Sequence, residues 1–60
     1  MLPHFLRSKT TKNTKYIFWQ TGNFDYQIEM RDANTMKPFS HINLHKSYEE
    51  ASIKFEELTS

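Results

Sequence analysis

Cysteine is absent from this chain, so neither a disulfide framework nor a thiolate metal site can hold it; stability must come from an apolar core or from a partner. No apolar run approaches the roughly 20 residues that a membrane-spanning helix needs, and the start Met1-Leu2-Pro3-His4-Phe5-Leu6 has neither a charged leader nor a continuous apolar segment. These two absences set the expectation of a cytoplasmic protein without a membrane partner. Charge of one sign is lacking too. A formal net charge of +1 argues against binding nucleic acid by electrostatics over the whole surface. Sixty residues leave no room for a second domain. A chain of this size buries only about 60% of its unfolded surface, and three or four packed elements seldom enclose a concave site with several convergent groups. The expectation is a non-enzymatic protein without cofactor or metal.

Aromatic residues, by contrast, make up 15% of the chain and supply a core. The clearest pattern is Phe24-Asp25-Tyr26-Gln27-Ile28-Glu29-Met30-Arg31, where apolar and polar residues alternate without a fault. Side chains on a strand point to opposite faces with a period of two, so Phe24, Tyr26, Ile28 and Met30 share one face and Asp25, Gln27, Glu29 and Arg31 the other. Before it, Lys15-Tyr16-Ile17-Phe18-Trp19-Gln20 is aromatic and β-branched, hence a strand, but apolar on both faces. Thr21-Gly22-Asn23 carries the only glycine, where a tight hairpin takes a residue tolerant of positive φ. The run from Asp32 to Pro38 reads as a loop through its Asp, Asn and Pro, and Phe39 to His45 as a third strand with Ile42 and Leu44 on one face and His41, Asn43 and His45 on the other.

Ser47-Tyr48-Glu49-Glu50 is a capping box that opens a helix. Tyr48, Ala51, Phe55 and Leu58 then form one stripe, which is expected to cover the apolar face of the central strand. Ile53 falls on the far side of the helix from Phe55, either at the stripe's edge or as a contact site. Residues 1–14 show no sustained period and hold Arg7, Lys9 and Lys12 with no acid among them. They read as a basic, flexible arm, and residues 15–60 as a single domain. The fold class expected is α+β, a three-stranded antiparallel sheet packed on one C-terminal helix. A basic arm against an acidic helix, with Glu49, Glu50, Glu56 and Glu57, should polarise the molecule.

The segments Tyr26 to Asp32 and Ser47 to Ala51 resemble the plant ethylene-response-factor type of DNA-binding domain, and are similar to the arm-binding N-terminal domain of phage tyrosine integrases. In the plant family the second strand typically ends Glu-Ile-Arg-Asp and the helix opens Thr-x-Glu-Glu/Asp-Ala; Glu29-Met30-Arg31-Asp32 and Ser47 to Ala51 match these in order. The resemblance spans about residues 16–58. It implies a three-stranded sheet on a helix, with the outer sheet face in the DNA major groove and Glu29 and Arg31 on that face. The family's basic first strand is here Tyr16 to Gln20, with no arginine, and its Trp-Leu-Gly strand is here His41-Ile42-Asn43.

Two functions follow as expectations. The first is a small DNA-binding protein, in the manner of phage-encoded ones, that uses the outer sheet face and the arm: Arg7, Lys9, Lys12, Lys15, Gln27, Glu29, Arg31, His41 and Asn43. Arg pairs bidentately with guanine and Asn or Gln with adenine, while Lys and Arg supply phosphate contacts. The second is a protein-binding module, of the kind phages use to inhibit a host or rival enzyme, contacting its target through Phe18, Trp19 and Ile53. An edge strand could also pair with a second copy to make a homodimer. His41 and His45 have the spacing of a helical zinc pair, but on a strand they stand roughly 13 Å apart.

Overall fold

Four strands and one helix follow one another along the chain: β1 (His4–Thr11), β2 (Thr14–Gly22), β3 (Asp25–Asp32), β4 (Pro38–His45) and α1 (Tyr48–Thr59). The structure is a computed structural model that describes residues 2–60, so the Met1 end of the expected arm lies outside the described residues. The strands form one antiparallel meander in the order β1-β2-β3-β4. The α+β class and the C-terminal helix are as expected, but the sheet has four strands, not three. Residues expected to form a flexible arm are strand β1, hydrogen-bonded to β2 from His4↔Gln20 to Thr11↔Thr14.

The reason β1 escapes a period-two reading is physical. A bulge between Phe5 and Arg7 inserts an extra residue, which throws the alternation out of step. The strand lies at the sheet edge, where Lys is favoured because its charge discourages pairing with a foreign strand.

The core lies between the sheet and α1. Phe18, Tyr26, Ile28, Leu44, Ala51 and Phe55 form the buried cluster, with Leu6, Tyr16, Ile42 and Leu58 packed at its margin. Small Ala51 is fully buried, so the helix comes close to the sheet, and Phe55 stacks on Phe18 with ring centroids 5.3 Å apart. Tyr48 is half exposed yet still stacks on Phe18 at 6.1 Å. The Phe18 side chain, expected as a contact for a partner, is thus 0% exposed and cannot serve as one. Phe24 also departs from expectation. It sits in the turn before β3 and is 61% exposed, not under the helix.

Capping and turn chemistry set the element ends. Ser47 Oγ accepts from the Glu50 amide at 3.3 Å, while the Glu50 carboxylate accepts the serine hydroxyl at 3.2 Å instead of reaching the serine's amide. At the other end of the helix the buried Thr59 hydroxyl donates to the Phe55 carbonyl at 2.9 Å, satisfying one of the last-turn acceptors. Gly22 does not have positive φ. A Cβ there would stand 2.8 Å from Asp25 Oδ2 and 3.3 Å from Asp25 Cβ, so a larger residue requires the Asp25 side chain to shift. The left-handed positions are Lys12, in the β1–β2 turn at φ 55°, and Met36, in the β3–β4 loop at φ 63°. Asp32 organises that loop by accepting from the amides of Asn34 at 2.8 Å and Thr35 at 3.0 Å. These amide donors hold its carboxyl below the ordinary carboxylate range.

A candidate recognition surface on the open sheet face

One face of the sheet is taken by α1, and the molecule is only 15 Å thick along its shortest axis, about two layers. The opposite face carries no second layer. The strand pairings divide its side chains into rows across the sheet: Thr10, Lys15 and Arg31; then Ser8, Ile17, Glu29 and His41; then Phe5, Trp19, Gln27 and Asn43; and at the far end Asp25 and His45.

Glu29 is the hub of this surface. Its carboxylate accepts from the Trp19 indole N–H at 3.2 Å and from Arg31 Nη2 at 3.0 Å, and only 16% of its side chain is exposed. A charged acceptor bonded to two donors is strongly preferred over a bare one at this degree of burial. Trp19 is held further by the Phe5 ring, edge-on with centroids 5.9 Å apart. Ile17 is 7% exposed although no helix or strand covers it. Glu29 and Ser8 flank it in its own row, and Lys15 and Trp19 stand two residues away along β2. The apolar second side of β2 is therefore shielded by neighbouring long side chains.

Arg31 is bound but not satisfied. Its Nη1 reaches the Met36 carbonyl at 3.3 Å, while its Nε is buried without an acceptor. Directly across the strand pair stands Lys15, a like charge. The Gln27 amide donates to Asn43 Oδ1 at 3.0 Å, and His45 Nδ1 lies 2.6 Å from Asp25 Oδ1.

Charge is distributed along the strands. The β1–β2 turn and the β3–β4 loop meet at one end of the sheet, where the Ala33 amide donates to the Asn13 carbonyl at 2.9 Å. Lys12 and Lys37 belong to these connections, and the Lys15–Arg31 row adjoins them, with Lys9 on β1 close by. Asp32 and Glu29 are the acids among them.

Among the residues expected to bind DNA, Lys15, Gln27, Glu29, Arg31, His41 and Asn43 share the open face. Arg7 does not join them. The bulge turns it to the helix side, where Nη1 pairs with Glu56 at 2.6 Å and the guanidinium lies 4.9 Å over the Phe55 ring. Lys9, opposite Tyr16, also belongs to the helix side, at its edge. Trp19 is on the open face but Ile53 is on the outer side of α1 and 61% exposed, so the two belong to opposite sides of the molecule. Sequence reasoning missed Phe5, because its strand was not recognised, and missed the Glu29 bridge, because cross-strand register is needed to see it. No protein-family model, curated protein or solved structure matches this chain.

Proposed function

We propose that the open sheet face binds DNA without catalysing a reaction on it. The observation that carries this reading is Lys15 standing directly opposite Arg31 on an uncovered face, beside the turns that hold Lys12 and Lys37. Like charges directly opposite on a sheet are destabilising, and a phosphate between them converts that cost into binding energy. The orphaned Nε of Arg31 points the same way, because a buried unpaired donor costs about 1–3 kcal/mol and the guanidinium loses less by leaving its present pose. Gln27 and Asn43 are suited to adenine. Trp19 offers a ring on which an exposed base can stack.

The chain has a single tryptophan, so its fluorescence reports on this face alone. Titration with a short duplex at low salt should quench it. With Lys12, Lys15, Arg31 and Lys37 on phosphates, log K against log salt should fall with a slope of about −3 to −4. A flat salt dependence, or no binding at low salt, refutes the reading.

A second reading rests on the Phe5–Trp19 pair, since Phe5 is 53% exposed and tryptophan is enriched at protein-binding hot spots. In that case a protein target is recovered stoichiometrically, is lost with Trp19→Ala, and is retained in high salt.

A further inference from the structure

The two edges of the sheet are protected unequally. Strand β1 has Pro3 just before it, a bulge after Phe5, and Arg7 and Lys9 along it, all devices that blunt an edge. Strand β4 has Pro38 and a bulge at Phe39 at its start only, and no Lys or Arg along the rest of it. From Phe39 to His45 it contains no Lys, Arg, Asp or Glu, and its register with β3 is regular from Asp25↔His45 to Met30↔Ser40. Its outer backbone groups have no strand beside them.

We infer that β4 is a homodimerisation edge, on which a second copy of this chain pairs β4 to β4 antiparallel about a twofold centred on Ile42. The register follows from the side chains. A twofold normal to the sheet keeps both helices on one side, so residues must pair with others of the same face. Centring on Ile42 sets Ile42 against its own copy, Ser40 against Leu44 and His41 against Asn43. Ile42 is the half-buried residue at the core's margin, so its copy extends the core across the seam. Centring on His41 or Asn43 instead sets His41 against His41 or His41 against His45, which pairs like groups. No full charge meets its like in the Ile42 register. Continuation into a filament through β1 is blocked by that strand's proline, bulge and basic residues, so the assembly closes at two.

The test uses the absence of cysteine. His41→Cys and Asn43→Cys variants, both at exposed positions, are mixed and oxidised; directly opposite Cβ atoms in an antiparallel pair lie about 4.5–5.5 Å apart, within reach of a disulfide after small adjustment, whereas each residue and its own copy lie on the diagonal, about 7–8 Å apart. The mixture should give a crosslinked dimer and neither variant alone should. Sedimentation equilibrium on the unmodified chain should show a concentration-dependent mass approaching twice 7.2 kDa. Ser40→Lys, exposed in the single chain, should keep the circular dichroism spectrum and weaken association at least tenfold. A monomer mass at millimolar concentration, self-crosslinking of His41→Cys as complete as that of the mixture, or a mass that keeps growing beyond the dimer each overturn the proposal.

Discussion

Replacing Lys15 by threonine should make the protein more stable and a poorer DNA binder, two effects of opposite sign from one side chain. Lys15 lies directly across from Arg31, and the only carboxylate bonded to that row, Glu29, is already shared between Arg31 and Trp19. A like-charge pair at opposed strand positions costs about 0.2–1 kcal/mol, and threonine suits a strand at least as well as lysine. Both groups are partly solvated, so the lower half of that range is the better expectation. For a domain of this size each kcal/mol moves Tm by about 4–8 °C, which makes the gain a rise of a few degrees. Thermal unfolding followed by circular dichroism at low salt would read it, and the gain should shrink as salt screens the pair. In fluorescence titrations with a duplex the same variant should flatten the log K against log salt slope by about 0.9, one phosphate contact. If Lys15→Thr destabilises the fold, the electrostatic reading of the row is wrong. If stability rises while the salt slope is unchanged, Lys15 is not at a phosphate and the DNA reading loses the observation it rests on.

Other parts of the molecule have equally direct outcomes. Met36 holds a left-handed backbone that costs a residue with a Cβ roughly 1 kcal/mol, so Met36→Gly should raise the urea midpoint or at worst leave it unchanged despite added unfolded-state entropy. Asp32 has a folded-state pKa depressed by the Asn34 and Thr35 amides. Its contribution to stability is present above the unfolded value of about 3.9 and is lost as pH falls through the folded value. Asp32→Asn keeps an acceptor oxygen without the charge, so urea midpoints of the two proteins should converge as pH falls below about 4; parallel curves would refute the assignment. Phe55→Ala removes a fully buried ring stacked on Phe18 and should cost about 3–5 kcal/mol, enough to unfold a domain this small, whereas Ile53→Ala on the outer side of the same helix should change stability by less than about 0.5 kcal/mol.

The helix was the most legible element. Its start is written in Ser47 and Glu50 and its buried stripe in Ala51 and Phe55, both local signals that need no knowledge of the rest of the chain. The central strand was nearly as clear from Tyr26 onward, because strict alternation has one physical reading. Phe24 extended that alternation by one residue too many, since a turn ending at Asp25 overrides a pattern that sequence alone lets run on. Strand β1 was illegible for a different reason. Its stability comes from backbone bonds to β2 and from contacts such as Arg7 with Glu56 and Phe55, which are long-range facts, while its own residues look like a solvated tail.

The candidate site was half legible, and β2 explains why. Ile17, Phe18 and Trp19 are consecutive and large, so they occupy both faces of the strand whatever the fold. In a two-layer domain only one face receives a helix, and the sequence cannot say which; the structure gives that face to Phe18 and leaves Ile17 and Trp19 on the other. A sheet with no function on its open side would be expected to carry polar residues there. This one carries them over most of that side but also sets Phe5, Ile17 and Trp19 there, bonds Glu29 to both Trp19 and Arg31, and leaves a guanidinium nitrogen of Arg31 buried without an acceptor. Local conflicts of this sort persist where function opposes stability. The conflict lies in the rows from Lys15–Arg31 to Phe5–Trp19, which is why the open face and not the outer side of the helix is the surface to test.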